Sequence, residues 1–554
     1  MPLLCLKIDT HRYFLTSVSV LFILKIKYLL MDMNTAGTRN QTFPENNPNG
    51  FPEVGSEVEI TMFKKLQKKL RQQFEHIFPD KLAPRTVVVI PSLTIDEELL
   101  SKVSGINHYE ERMLCLLMLL RMPRTNVIYV TSQTIDPVII DYYLHMLPGM
   151  TGYHALRRLT LLSCHDASSK SLTRKILERP RLIKRIHDLI PPEHNTHMAC
   201  FNVTAYERTL AIRLQIPIFG CDPDLSVLGN KSNSRIIFRE CGLTVPPGFE
   251  DLGSEEDIII SLTRLKKMHP QLRKAVVKVN DGFSGDGNAI FTYSPLGKEA
   301  ESEQWIRENI REKLKMVSGG ISYDLFLNKF RQMGGIVEAF IDGAIKESPS
   351  VQCRITPTGI SEVLSTHDQV LGGESGQVYI GAQFPAADDY AAEIGHMGKK
   401  ISDVLLKKGV LGRFAIDFIS VKENDGWKHY PIEINLRKGG TTHPYLMLQF
   451  LTDGIYNNED GKYYTSKGSL IRYYFTSDNL QNDKYIGLTP HDLIDIAMMN
   501  DLHFDGTVQE GVMFHLIGAL SQYGKMGVVC VGSTPQRAKD FYTKIIEVLD
   551  NECP

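Results

Sequence analysis

From Thr86 onward, short apolar runs of strand length alternate with longer stretches that carry one buried face. Val87-Val88-Val89-Ile90 is a β-branched run ended by Pro91, and residues 126–131, 159–163 and 198–203 repeat that pattern. Helices are expected over 109–121, near 137–146, and over a basic stretch at 171–190 that Pro180 can kink or split. Thr204 with Glu207 forms a capping box that opens a further helix. Strand and helix in alternation predict a parallel, doubly wound sheet, so residues 56–215 read as one α/β domain.

Residues 216–455 are richer in glycine, and their strands carry isolated polar side chains. A last unit at 463–554 is expected to be a small α/β domain: a helix opened by Thr489-Pro490 with Asp492, strands at 512–520 and 528–531, and a closing helix from Thr534-Pro535. At the other end, residues 1–55 read as an extension and disordered linker. Their apolar stretch at 13–24 is interrupted by Lys25 and Lys27, where a spanning helix needs roughly 20 residues. It is expected to be an extended start ahead of Met31 and Met33, with a weak signal peptide as the alternative.

Composition narrows the function classes. Lys plus Arg number 62 against 64 for Asp plus Glu, so no global field favours nucleic acid or membranes, and neither is an expected partner. The nine cysteines stand singly, at no zinc-ligand or redox spacing, which fits a reducing cytoplasm. A homodimer is only the base-rate expectation.

Common nucleotide and hydrolase templates fail. Gly282-Phe-Ser-Gly285-Asp-Gly287 has the wrong spacing for a dinucleotide fingerprint, and Gly229-Asn230-Lys231-Ser232 is not a P-loop. A hairpin is more informative. Phe414-Ala-Ile-Asp417 lies on one apolar strand, Asn424-Asp425-Gly426 is a turn signal, and Pro431-Ile-Glu433-Ile-Asn435 returns. A turn centred on Asp425 sets Asp417 opposite Glu433, with Asn435 on the same face. Opposed carboxylates in apolar strands repel, and a divalent cation would resolve the conflict; oxygen ligands of this kind suit Mg2+ shared with phosphates. The bland alternative is a solvated strand face with Arg437 as a surface partner. Pro431 further implies an edge or irregular strand.

Lys278, in Ala275-Val-Val-Lys278-Val-Asn280, leads into the glycine-rich 281–287 loop, a pattern that suits phosphates or a plain hairpin turn. Glu338 in Gly335-Ile-Val-Glu338-Ala-Phe-Ile-Asp-Gly343 is either core or the acid of an adenine-recognising hinge. Lys231 precedes a helix that runs to Cys241, where a surface role is the ordinary one.

The order of these motifs resembles the ATP-grasp superfamily across residues 216–455. His367-Asp-Gln-Val-Leu-Gly-Gly373 and Glu433-Ile-Asn-Leu-Arg-Lys-Gly-Gly-Thr-Thr-His443-Pro resemble its pheganomycin-type peptide ligases, which also carry a preceding α/β domain and a small C-terminal domain. The resemblance implies an ATP-grasp fold of two α+β subdomains after the first domain. It implies ATP with Mg2+ (or Mn2+), and small-molecule or peptide carboxylate and amine substrates joined through an acyl phosphate. Nucleotide contacts would come from Lys231, Lys278, Gly282, Ser284, Gly285, Gly287, Glu338, Phe340 and Glu347. Asp417, Glu433 and Asn435 would hold the metal, Arg437 would face the transferred phosphoryl group, and His443 would position the acyl donor, move a proton, or simply occupy a turn, a choice also open for His367. A phosphotransferase acting on a hydroxyl, or a non-catalytic nucleotide-binding module, remain the rival classes.

Overall fold

A computed structural model of the protein describes residues 51–553 apart from 78, 96, 102, 282–286, 294–302, 318–320 and 373–377. Strands β1 (Arg85–Ile90), β2 (Thr125–Thr131), β3 (Leu159–Ser163) and β4 (Asn195–Cys200) pair in parallel in the order β3-β2-β1-β4. All six residues of β1 are buried, as a strand covered on both faces requires. Pro180 divides the basic stretch into two helices, Leu172–Leu177 and Pro180–Asp188, and takes the first position of the second, where its missing N–H does no harm. The segment expected as a helix over 109–121 is a 3-10 helix, Ile106–Arg121. A 3-10 run that long is unusual; this one is anchored by the burial of Met113, Leu114 and Leu117. Thr204 and Glu207 do cap the helix Ala205–Leu214 reciprocally.

Strands β5 (Gly248–Leu252), β6 (Lys274–Val279), β7 (Asn288–Thr292), β8 (Leu314–Met316) and β9 (Gly335–Ala339) build an antiparallel sheet in the order β5-β9-β6-β7-β8. Three helices cover one face, burying Ile258, Leu262, Ile306, Phe326 and Phe330 against Val277 and Phe291. Burial of each such side chain contributes roughly 1.5–3 kcal/mol, which keeps β6 and β9 in register beneath the residues they display.

The remaining strands form a nine-stranded sheet and a small hairpin. They are β10 (Lys346–Glu347), β11 (Pro349–Ile355), β12 (Ser361–Gly372), β13 (Val378–Phe384), β14 (Gly412–Glu423), β15 (Gly426–Asn435), the hairpin β16 (Ile455–Asn457) and β17 (Lys462–Tyr464), then β18 (Tyr473–Gln481), β19 (Gly511–His515) and β20 (Lys525–Gly532). The order is β10-β14-β11-β12-β13-β18-β20-β19, with β15 on the other edge of β14. Because β18 pairs with β13, the C-terminal strands extend the sheet that precedes them, and residue 463 falls inside β17. The strand expected over 512–520 stops at His515, where Leu516 takes a left-handed conformation (φ 54°) and a 3-10 turn follows. One buried cluster joins Leu117 and Tyr129 of the first region to Leu448, Met513, Val529 and Ile545 near the end of the chain. No helix among the described residues is long and apolar enough to cross a membrane.

Candidate active site

The hairpin β14–β15 sets the centre of the site. Its register places Asp417 opposite Glu433 and Ala415 opposite Asn435, so the three oxygen-bearing side chains share one face. A bulge follows immediately: Phe418 pairs with Pro431, leaving Ile432 as the extra residue. Pro431 thus sits on an edge strand at an irregularity, the place a residue without an N–H can occupy. Asp417 accepts from Gln369 Nε2 (2.9 Å) and from Asn435 Nδ2 (2.9 Å). The amide nitrogen of Asn435 is thereby engaged.

The two acids differ in their electrostatics. Burial, and next the charge of Glu433, push Asp417 up to about 6, against the opposing pull of Ser350, Arg437 and Gln369. Burial acts in the same direction on Glu433, but Lys231, Lys278 and Arg437 together hold it below the usual carboxylate range. Lys231 Nζ is 3.2 Å from Glu433 Oε1. It is the first residue of the helix Lys231–Glu240, capped by Asn230 through the N–H of Asn233. Gly229 lets this turn lie against β15, since a Cβ there would stand 2.9 Å from the Ile434 carbonyl oxygen.

Lys278 and Glu338 are diagonal neighbours on β6 and β9. Lys278 Nζ lies 2.6 Å from Glu338 Oε1, and Arg235 Nη1 lies 2.6 Å from Oε2. Glu338 is therefore not plain apolar core: each of its oxygens holds a cation, and it lines the cleft. Removing Glu338 would leave two buried cations without their carboxylate, a loss on the order of 3–5 kcal/mol. Phe340 follows β9, its ring flanked by Lys274 and Lys346 at 5.5 and 4.8 Å from the centroid.

Lys231, Lys278, Glu338, Phe340, Gln369, Asp417, Glu433 and Asn435 line one cleft of about 850 Å3 that also includes Gly287, Glu347 and Arg437. Burial lowers the Arg437 guanidinium, while Glu433 and Asp417 raise it. Gly282, Ser284 and Gly285 lie outside the described residues. His443 is not among the residues lining this cleft. It sits in the first turn of the helix Thr442–Thr452, behind the cleft wall, with Nε2 3.1 Å from Asp478 Oδ1, and burial lowers it to about 4. His367 is fully buried against the Tyr474 hydroxyl (2.7 Å) and is lowered to about 3, a packed side chain away from the cleft.

Sequence reasoning missed Gln369, Arg235, Arg112 and Asp478. The first two had a signal: Gln369 lies within the His367–Gly373 motif, and Arg235 is four residues after Lys231 on one helix face. Arg112 and Asp478 come from opposite ends of the chain, and no local pattern marks them.

Residues 224–318 and 321–459 match the IQCH-like ATP-grasp family, and residues 492–545 match the PGM1 C-terminal domain. The chain is similar to L-propargylglycine–L-glutamate ligase of Streptantibioticus cattleyicolor, 27% identical over 482 residues that cover 84% of this chain and 94% of that protein. It is also similar to IQ motif-containing protein H of Danio rerio, 22% identical over 449 residues, 73% of this chain and 42% of that one. In fold it resembles the biotin carboxylase domain of 2-oxoglutarate carboxylase from Hydrogenobacter thermophilus, a structure holding MgADP, ADP and bicarbonate. The TM-score is 0.51 at 12% identity, covering 84% of this chain and 89% of that one.

Proposed function

The chain belongs to the ATP-grasp superfamily, and from that premise we propose that it is an ATP-dependent ligase that joins a carboxylate to an amine. The observation that carries this reading is the pairing of Asp417 with Glu433 in a cleft that also presents Lys231, Lys278 and Arg437. Two carboxylates facing one another, with an amide oxygen beside them, make a donor set for a hard cation. Asp417, Glu433 and Asn435 would hold Mg2+, which when bound offsets phosphate charge and orients the triphosphate.

The side chains do the rest by position and charge. Lys231 and Lys278 neutralise phosphate oxygens, and Lys278 is kept in place by Glu338, itself fixed by Arg235. The backbone at 339–341 and the Phe340 ring would take the base, and Glu347, which lines the same cleft, would take the ribose. A substrate carboxylate oxygen attacks the γ-phosphorus, the bond to ADP breaks, and an acyl phosphate forms. Arg437 faces the transferred group and stabilises its charge. The amine nitrogen then attacks the acyl carbon and phosphate leaves with the bonding electron pair. The nitrogen loses a proton, and an amide, ADP and phosphate remain.

Phosphate release from MgATP with pooled amino acids and short peptides, followed by mass spectrometry, tests this. The expected product weighs one water less than its two substrates together, and release depends on the amine. ADP with a phosphorylated product would replace the ligase with a phosphotransferase; nucleotide binding without turnover would leave a binding module.

A further inference from the structure

The helix Lys231–Glu240 is tied to both sheets that border the cleft. Toward β15, the Lys231 ammonium reaches Glu433, and the Ser234 hydroxyl accepts from the Ile434 N–H (3.2 Å). Toward the five-stranded sheet, Arg235 binds Glu338 and Ser232 meets Asn280. Residues 231 and 234, and likewise 232 and 235, are three apart, so each pair shares one helix face.

Asn280 stands where β6 runs out into the glycine-rich 281–287 loop, two residues past Lys278. Its side chain is buried and engaged at both ends. Oδ1 accepts from the Ser232 N–H (3.0 Å) and the Ser232 hydroxyl (2.8 Å), while Nδ2 donates to the Met333 carbonyl (3.1 Å). A backbone N–H only donates and a carbonyl only accepts, so the amide has one workable orientation. Two backbone bonds tighten the same joint: the Lys231 N–H donates to the Asn280 carbonyl (3.3 Å), and the Asn280 N–H to the Gly334 carbonyl (2.9 Å). Gly334 completes the fit, with φ 71° and a Cβ position that would fall 3.0 Å from Nδ2.

Neither element needs this clamp to form. Asn230 already caps the helix, and β6 pairs with β9 through Ala275–Val279. What the clamp adds is a fixed place for the first turn of the helix beside the start of the loop. Ser232 is fully buried, so without Asn280 its N–H has no water to turn to, and the turn must shift to satisfy it.

We propose that Asn280 is a positioning residue: it locks the first turn of this helix to the end of β6, so that Lys231 and Lys278 meet the triphosphate at one fixed spacing. The inference rests on the phosphate role given to the two lysines above and adds the group that sets their geometry. A charge that must be brought into place when the nucleotide binds contributes less than one already there. Because Asn280 takes the Ser232 N–H, the helix offers the nucleotide its lysine and not that backbone donor.

The test is calorimetric titration of the full chain with the non-hydrolysable analogue MgAMP-PNP and with adenosine, in Asn280→Ala, Lys231→Met and the double variant. Asn280→Ala should weaken MgAMP-PNP about 10-fold and leave adenosine unchanged. Lys231→Met should weaken MgAMP-PNP about 10–100-fold. The double variant should bind no more weakly than Lys231→Met alone, because the asparagine acts through that lysine. Loosened packing would instead weaken adenosine as well and add in full to Lys231→Met. Either of those results, or unchanged MgAMP-PNP affinity in Asn280→Ala, would overturn the assignment and leave the role of Lys231 standing. Should Asn280→Ala fail to fold, Ser232→Ala carries the same comparison: it removes one of the two donors to Oδ1 and should cost about 3-fold, again without adding to Lys231→Met. A Lys231→Met chain that binds MgAMP-PNP as well as its parent would remove the phosphate reading itself, and this inference with it.

Discussion

The two ends of the cleft handle buried charge in opposite ways. At the hairpin, Asp417 and Glu433 face each other: Lys231, Lys278 and Arg437 hold Glu433 low, while burial and the charge of Glu433 push Asp417 up to about 6. At the far end one carboxylate, Asp478, is surrounded by two imidazoles and a guanidinium. His443 and His515 overcome its burial and hold it well below the usual carboxylate range. There the guanidinium of Arg112 is the under-satisfied partner: its one described hydrogen bond is long, 3.4 Å from Nη1 to Asp478 Oδ2. Facing carboxylates that raise one another suit a bound cation, whereas Asp478 already has its counter-charges. Whether a buried acid is opposed or paired, more than its residue type, separates the two ends.

The largest effect should come from the acid end. Glu433→Gln is expected to lower ATP turnover by about 100–1,000-fold while the circular dichroism spectrum stays native; unchanged turnover in the folded variant would remove the metal assignment. Stability should then separate the two ends. Asp478→Asn leaves a buried guanidinium without its carboxylate and is expected to cost about 3 kcal/mol in denaturant unfolding. Asp417→Asn removes a like-charge repulsion and should leave stability unchanged or slightly higher. If both variants destabilised equally, the contrast would be wrong.

A smaller loss is expected for Lys278→Met. Glu338 keeps Arg235, so the fold should survive while ATP affinity falls roughly 10–100-fold, measurable by titration with a fluorescent nucleotide. The smallest effect concerns acid. Burial lowers His443 to about 4, so between its unfolded value near 6.5 and that point the unfolded chain binds more protons. The stability this position contributes is full above about pH 6.5 and is lost as pH falls toward 4. His443→Gln should flatten that slope by something on the order of 1–3 kcal/mol, read from unfolding curves at several pH values.

The hairpin was legible in its strands and turn signal, but the turn pairs Glu423 with Gly426 and is not centred on Asp425; the bulge at Ile432 is what brings Asp417 opposite Glu433. The same reasoning could not see that Glu338 pairs with both Lys278 and Arg235, because side-chain partners across strands depend on which cations the tertiary fold brings near. For His443 the sequence left a role on the acyl donor, a proton relay and a plain turn all open; the helix Thr442–Thr452 buries it beside Asp478. Pro180 announced its helix break. Nothing local announced that Leu516 would end a strand in a left-handed turn, since a run of apolar residues fits strand and buried turn equally well. Arg112 and Asp478 meet only because the first and last regions share one core.

The most direct measurement follows the carboxylate oxygen. Amino acids labelled with 18O in their carboxyl groups are incubated with MgATP and the chain, and the released phosphate is weighed. Acyl phosphate chemistry moves one labelled oxygen into the phosphate and leaves ADP. Unlabelled phosphate alongside amide product, or release of AMP and pyrophosphate, would contradict the account.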